Sequence, residues 1–321
     1  MESYCLMSEK IKLAVDLVTF FHPQFWDVNN HKDIFTLSAE KPELFWSRML
    51  DTVASAGLTG IEPTFSPFNW QHALKTFGST EGFSKAMGER GLTLASGFFA
   101  DLEHGSDIAD PAVRAKLFDL AKRYAEVIKA CGGDAMVVGL PMRRTRDGDN
   151  PLIVDIAYAQ RLGEVLNELG AMTLRQGVRL ALHTEAHSVF CTGRDVDLFM
   201  LATDPLYVGF CPDAAHLLGS GADPVAVTTR HIERLVVAHW KDATGVMPFD
   251  IPIDGGIHES HQAFFCRLGA GRVDWPAWAR MYRDHNISGW AVLELDAAAD
   301  PLSEMIASRQ FVETALLPII G

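Results

Sequence analysis

Short runs of apolar and β-branched residues alternate along the chain with longer amphipathic stretches. This alternation predicts strands at residues 12–20, 60–64, 92–98, 135–140, 178–185, 207–211, 235–240 and 290–295. It predicts helices at residues 42–56, 80–90, 111–130, 151–176, 194–202, 224–234, 275–285 and 302–316. Several of these helices begin with a proline in the first turn, and several end at a glycine just before the next strand.

Eight strand–helix repeats in an α/β chain predict a parallel sheet that closes into a (β/α)8 TIM barrel. We expect one catalytic domain over residues 11–321, preceded by a short disordered leader at residues 1–10. An open, doubly wound sheet is the main alternative, but no G-x-G-x-x-G motif follows the first predicted strand. In a barrel, the chemistry lies on the loops that follow the strands.

Composition narrows the classes of partner. The net charge of −13 argues against a nucleic-acid partner, which would need a basic face. No apolar run approaches the roughly 20 residues of a membrane span, and no secretion signal opens the chain. The five cysteines are widely spaced and odd in number, which predicts reduced thiols in a cytoplasmic protein.

Two predicted loops are unusually long. The first covers residues 22–40 and is rich in aromatic residues, and the second covers residues 243–272 and contains His258 and His261. Long loops in a compact domain are typical of lids or binding elements. A disordered insertion or a subunit contact is the alternative.

Residues with metal-ligand chemistry stand at the ends of four consecutive predicted strands. They are His183 and Glu185, then Asp213, then His239 and Lys241, then Glu294 and Asp296. The period of two places each pair on one face of its strand. One such histidine is usually structural and one such aspartate usually caps a helix, but four in succession predict one divalent ion. The mixed oxygen and nitrogen ligands suit Mn²⁺, our first choice, or Co²⁺, Mg²⁺ or Zn²⁺.

Four motifs in this region resemble those of the xylose isomerase-like barrels, the sugar phosphate isomerase/epimerase superfamily. They are Asp213-Ala214-Ala215-His216, His239-Trp240-Lys241-Asp242, Gly269-Ala270-Gly271-Arg272-Val273-Asp274-Trp275 and Leu293-Glu294-Leu295-Asp296. The resemblance implies Asp213, His239 and Glu294 as metal ligands. It implies substrate contacts at His216 and Lys241, to which we add Trp26 and Arg272 as candidates.

The fifth predicted strand departs from the family pattern. His183 stands where relatives commonly have glutamate, and Glu185 follows two residues later. We expect Glu185 to be the fourth metal ligand, with His183 as the alternative. The candidate acid–base residues are Glu185, Glu294, His183 and His187. If His183 takes the place of the usual glutamate, an epimerase mechanism with two opposed metal-bound glutamates becomes less plausible. Elimination then becomes more plausible.

The predicted chemistry is removal of a proton next to the carbonyl of a keto-sugar or a 3-oxo-glycoside, helped by the metal as a Lewis acid. Isomerisation, epimerisation and β-elimination all remain open. Aromatic residues cluster at or after the first three predicted strands. They predict either stacking on a sugar or an aryl group of the substrate, or simple packing in the outer layer of the barrel. The opening run resembles catalytic subunits of C-glycoside deglycosidases, which implies a small second subunit, and the strand-five end resembles inosose dehydratases.

The alternatives are a phosphodiester hydrolase of the endonuclease branch of this fold and a non-catalytic sugar-binding barrel. The acidic charge argues against the nuclease. We expect a homo-oligomer. Arg143, Arg144 and Arg146 are candidates for binding an anionic substrate group, or belong to a solvated loop.

Overall fold

The computed structural model describes residues 10–103, 108, 110–143 and 152–321. Its parallel strands lie within or next to the predicted ones: Ile11–Asp16, Gly60–Glu62, Thr93–Leu94, Gly97–Phe99, Ala135–Val138, Arg179–His183, Val208–Cys211, Ala238–Trp240 and Gly289–Leu293. The third predicted strand is divided into two short pieces, Thr93–Leu94 and Gly97–Phe99. The predicted leader falls outside the described residues, except for Lys10, and so do Arg144 and Arg146.

Backbone hydrogen bonds close these strands into a ring. Ile11–Asp16 pairs in parallel with both Gly60–Glu62 and Gly289–Leu293, so the last strand of the chain lies beside the first. The Phe98 N–H donates to Pro63 O at 2.9 Å and closes one gap between the ladders. The His239 N–H donates to Pro212 O at 3.0 Å and closes the other. The predicted (β/α)8 barrel is confirmed.

The predicted helices surround this barrel. They are Pro42–Ser55, Thr80–Gly88, Pro111–Ala130, Ile156–Arg175, Gly193–Ala202, Pro224–Arg230, Trp275–Asp284 and Pro301–Phe311. The helix predicted from residue 151 begins at Ile156, where the Asp155 side chain accepts from the Tyr158 N–H. The last predicted helix continues through a π-helical turn, Val312–Leu316, to Leu317–Ile320. Among the described helices, none combines the length and the apolar composition that a membrane span needs.

Both segments predicted as long loops contain regular structure, and in this respect the prediction was wrong. The helix His31–Glu40 lies in the first, capped by the Asn30 side chain and anchored by buried Ile34. The second contains the helix Ile257–Gln262 and the strand Phe265–Cys266, which pairs antiparallel with Asp242–Ala243. Two further short helices, Trp70–Phe77 and Ala214–Gly219, were not predicted. Such short elements have too few turns to produce a clear apolar period.

Asp242 fixes the segment that carries the glycine-rich motif. Its buried carboxylate accepts from the backbone N–H groups of Gly269, Gly271 and Val273 at 3.0 to 3.2 Å. It also accepts from Trp275 Nε1 at 2.8 Å. A side chain at Gly271 would collide with this carboxylate, which accounts for glycine there. The loop that follows the seventh barrel strand is therefore anchored at its base.

Candidate active site

Four side chains from four consecutive strand ends meet at the mouth of the barrel. His183, Asp213, His239 and Glu294 each offer one ligand atom, and these atoms lie within 4.8 Å of one another. Asp213 Oδ2 is 3.7 Å from His183 Nε2 and 4.0 Å from His239 Nδ1. His239 Nδ1 is 2.7 Å from Glu294 Oε2. Ligands at about 2.0–2.2 Å from a shared divalent ion would be separated by similar distances.

The atoms that face this centre form no hydrogen bond of good geometry among the described residues, although His239 Nδ1 and Glu294 Oε2 approach each other to 2.7 Å. They are His183 Nε2, Asp213 Oδ2, His239 Nδ1 and Glu294 Oε2. A buried polar atom without a partner costs roughly 1–3 kcal/mol, so four in one place require an explanation. Two imidazoles and two carboxylates are a common donor set for a divalent transition metal. The residues present therefore fit a metal ion.

Two further carboxyl groups lie behind His239. Glu62 Oε1 is 2.8 Å from His239 Nε2, on the side of the ring opposite Glu294. Ser96 Oγ donates to Glu62 Oε2. Burial raises the pKa of Asp16 well above its usual value, and the negative charges of Glu294 and Glu62 add to this effect. Metal-binding histidines typically contact such a carboxylate through the other ring nitrogen.

Lys241 supplies a buried positive charge beside the cluster. Its Nζ donates to Glu294 Oε1 at 2.5 Å and to Asp296 Oδ1 at 3.0 Å, and it lies 2.9 Å from His216 Nε2. Burial by itself would lower the pKa of Lys241, but the charges of Asp296, Glu294 and Asp213 outweigh it and raise this pKa well above its usual value. Burial would raise the pKa of Glu294, yet Lys241 and His239 hold it well below the usual value.

Glu185 lies on another wall of the site, away from the four ligand atoms. Its Oε1 is 3.4 Å from His261 Nδ1 and 3.9 Å from His258 Nδ1, and these three residues form a separate group. Its Oε2 is 3.3 Å from His216 Nε2 and 3.6 Å from His183 Nδ1. The strand ends at His183, and the Ser188 N–H donates to Glu185 O in the turn beyond it. Strand alternation therefore no longer governs the Glu185 side chain.

A cavity of about 360 Å³ opens above these residues. Its polar wall includes His183, Glu185, His216, His239, Lys241, Glu294 and Asp296, all of which were singled out from the sequence. Phe21, Phe65 and Phe98 line another part of the wall. The cavity is large enough for a small polar ligand with an apolar side.

The cavity wall does not include the candidates Trp26, Arg272, His187 and Arg143, nor the ligand Asp213. Trp26 is buried, donates from Nε1 to Phe20 O at 2.8 Å, and stacks on Phe45 with ring centroids 4.2 Å apart, so it packs in the core. The Arg272 backbone N–H donates to Ala243 O at 2.9 Å. His187 stacks on His261, with ring centroids 5.1 Å apart. Arg143 pairs with buried Asp195, which gives it a structural partner.

Sequence reasoning missed Asp16, Glu62 and Glu103. All three are acidic, and Asp16 and Glu62 end their strands, where a carboxylate in an apolar run was an available signal. Glu103 lines the cavity, and a side chain at Gly139 would collide with its carboxyl group. Burial raises the pKa of Glu103 well above its usual value, and the charges of Glu185 and Glu294 raise it further.

Comparison with known proteins gives one family match and many relatives. Residues 50–314 match the family described as "Xylose isomerase-like TIM barrel". An inosose dehydratase of Bacillus licheniformis is 29% identical over 176 residues, which cover 53% of this chain and 58% of that protein. The chain thus spans little more than half the length of this curated relative.

Solved structures agree in fold. A xylose isomerase-like TIM barrel protein from Mycobacterium smegmatis in complex with magnesium gives a TM-score of 0.68 at 18% identity, covering 98% of each chain. An L-ribulose 3-epimerase gives a TM-score of 0.68 at 15% identity, covering 96% of this chain and 95% of that one. At these identities the likeness concerns the fold alone.

Proposed function

Because the chain belongs to the xylose isomerase-like TIM barrel family, we propose that it is a divalent-metal-dependent lyase that acts on keto-sugars or keto-inositols. It removes a proton next to the carbonyl and expels a group from the β-carbon. The observation that carries this proposal is the convergence of four buried ligand atoms at the barrel mouth, none of which forms a hydrogen bond of good geometry with a described residue. Elimination is favoured over epimerisation because His183 occupies the position where a second metal-bound glutamate would be needed.

His183, Asp213, His239 and Glu294 would hold the ion. His183 takes the role that the sequence assigned first to Glu185, since its Nε2 atom belongs to the four-ligand group and the Glu185 carboxylate does not. A bound divalent ion supplies Lewis acidity toward a carbonyl oxygen of the substrate. Mn²⁺ remains our first choice, with Co²⁺, Mg²⁺ and Zn²⁺ compatible with the same donors.

Asp296 is the residue that we propose to take the proton from the substrate carbon. Burial raises its pKa to about 8, with the charge of Glu294 adding to the effect and that of Lys241 opposing it. The ionised form of such a carboxyl group is a stronger base than an ordinary aspartate near neutral pH. Lys241 lies 3.0 Å away and would stabilise negative charge that develops on substrate oxygen.

Glu103 is the residue that we propose to give a proton to the leaving group. Burial raises the pKa of Glu103 well above its usual value and so favours the protonated form that a general acid requires. The removed proton then resides on Asp296, and the departing hydroxyl group leaves as water after it receives the proton of Glu103. The reaction therefore needs Asp296 ionised and Glu103 protonated. Because the pKa of Asp296 is about 8, the ionised fraction of Asp296 increases as the pH rises toward that value.

The deciding experiment is incubation of the Mn²⁺-loaded protein in deuterium oxide with keto-inositols, keto-sugars and 3-oxo-glycosides. We expect deuterium at the carbon next to the carbonyl, together with an unsaturated product, for at least one member of the panel. Asp213→Asn should abolish both signals. If no substrate exchanges its proton, the proposed chemistry is wrong.

Cleavage of an aryl 3-oxo-glycoside is the second candidate, and the aromatic part of the cavity wall favours it. Phe21 and Phe65 meet edge to face with ring centroids 5.4 Å apart, and Phe98 lies on the same cavity. Such rings would accommodate an aryl aglycone. Release of the aryl group from a 3-oxo-glycoside in the same panel distinguishes this candidate. A small second subunit and assembly into a homo-oligomer remain predictions that accompany this proposal.

A further inference from the structure

His258 and His261 project from the loop after the seventh barrel strand toward Glu185. They stand three residues apart on the helix Ile257–Gln262, so both can reach the same side of that helix. Their Nδ1 atoms lie 3.9 Å and 3.4 Å from Glu185 Oε1. Donors arranged tetrahedrally around zinc are about 3.3 Å apart, given ligand bonds of about 2.0–2.1 Å.

Hydrogen bonding fixes which nitrogen of His261 carries the proton. His187 Nε2 lies 3.1 Å from Pro248 O, and a carbonyl oxygen can only accept, so His187 donates from Nε2. In the neutral ring, His187 Nδ1 must then accept from His261 Nε2, which lies 2.9 Å away. A neutral His261 therefore turns the lone pair of Nδ1 toward Glu185.

In this arrangement two hydrogen-bond acceptors, His261 Nδ1 and the Glu185 carboxylate, face each other. His261 is only 1% exposed, and its Nδ1 atom has no hydrogen-bond partner among the described residues. A lone pair facing a carboxylate is repulsive unless a positive species lies between them. That species is either a metal ion or a second proton on His261.

We propose that Glu185, His258 and His261 form a second divalent-cation site, of a type that suits zinc, distinct from the four-ligand cluster. Two histidines and one glutamate are the protein ligands of many open zinc sites, and the half-exposed His258 leaves a remaining position accessible. The His187 ring orients His261 from behind, as partners of metal-binding histidines do. The cation would tie the loop of residues 243–272 to the end of the fifth strand, at the edge of the cavity.

The test is the zinc content of chelator-treated protein after reloading with Zn²⁺ and gel filtration. We expect two equivalents per chain for the unchanged protein and for His231→Ala, a control that removes a histidine paired with Asp197. His261→Ala and His258→Ala should each retain one tightly bound equivalent. His239→Ala should also retain one, held at the second site. His187→Ala should weaken the second equivalent by about 10–100-fold.

The outcomes separate this site from the proposed function. One equivalent that disappears with His239→Ala and survives His261→Ala overturns the second site and leaves the four-ligand centre intact. One equivalent that disappears only with His261→Ala supports the second site and contradicts that centre. His258 is half-exposed, so His258→Ala keeps the test valid even if His261→Ala fails to fold. A doubly protonated His261 at pH 7 in nitrogen-15 spectra of the reloaded protein would also overturn the proposal.

Discussion

Glu62 and His239 are in contact on the side of the imidazole that faces away from the ligand cluster, with Glu62 Oε1 2.8 Å from His239 Nε2. Because an ionised carboxylate can only accept, this contact favours the proton of a neutral His239 on Nε2. The Nδ1 lone pair is then available toward Asp213 and Glu294. Burial would raise the pKa of Glu62, but the positive charge of a protonated His239 outweighs it and lowers this pKa. A cation bound at Nδ1 of a neutral His239 would supply positive charge in the same place.

Glu62→Gln should weaken metal binding without removing any ligand. The neutral amide holds the His239 ring less firmly and makes it less basic, so we expect an affinity about 10–100-fold lower. Calorimetric titration of the stripped protein with Mn²⁺ measures this change. Glu168→Gln is the control, because it breaks only a surface pair with Arg114. Equal affinities for the two variants would show that Glu62 does not support the centre.

Glu103→Gln should separate the two halves of the proposed reaction. Glutamine keeps the shape of the side chain but has no carboxyl proton to give, so elimination should fall by about 100–10,000-fold. Exchange of the substrate proton for deuterium should continue, since that step uses Asp296. Asp296→Asn should instead lose exchange and elimination together. Loss of exchange in Glu103→Gln would contradict the assigned roles.

Asp242→Asn should be one of the most destabilising single changes in the chain. Three donors, from Gly269, Gly271 and Trp275, point at Oδ2, and an amide nitrogen in that place would face them with hydrogens. We expect a loss of at least about 3 kcal/mol in the free energy of unfolding, because several buried donors lose their acceptor. Urea denaturation measures it.

Asp274→Asn is the matched control for that substitution. Asp274 caps the helix Trp275–Asp284 by accepting from the Ala277 N–H, and asparagine caps helices about as well. Its effect should stay within about 0.5 kcal/mol. A similar loss of unfolding free energy in both variants would mean that the hydrogen bonds accepted by the Asp242 carboxylate are not what stabilises the loop.

Tyr282 should make the fold sensitive to alkali. Burial raises the pKa of its hydroxyl group well above the usual value, so the native state keeps a proton that the unfolded chain loses above about pH 10. The stabilisation is complete below pH 10 and decreases above it, by up to about 1.4 kcal/mol per pH unit. Urea denaturation between pH 9 and pH 11.5 should show a shallower decline for Tyr282→Phe. An unchanged slope would exclude Tyr282 as a cause.

The barrel was predictable because its strands are short apolar runs bounded by helix caps, and this pattern is local. The elements that were missed, such as Ile257–Gln262 and Phe265–Cys266, are held by tertiary contacts, so their own sequences carry little periodicity. The ligands were predictable for a related reason: residues at consecutive strand ends of a barrel must converge on one rim. Asp213, His239 and Glu294 follow this rule.

The rest of the site depends on how the chain turns after each strand. Alternation treats His183 and Glu185 as equivalent, but the strand ends at His183 and the turn beyond it directs the Glu185 carboxylate toward His258 and His261. Trp26 was an attractive substrate contact in an aromatic segment, yet stacking on Phe45 buries it in the core. The spacing of residues along the sequence predicts neither the direction of the Glu185 side chain nor the burial of Trp26.

Convergence of four strand ends on one cation is tested most directly by calorimetric titration of chelator-stripped protein with Mn²⁺, with the unchanged chain compared to Asp213→Asn. Asparagine can preserve the hydrogen bond from the His216 N–H that caps the helix Ala214–Gly219, while it removes the charge at Oδ2. We predict saturable binding of Mn²⁺ by the unchanged protein and, in the folded variant, loss of the equivalent that the four-ligand centre holds. Identical titrations of the two proteins, or no binding by either, would contradict the metal centre.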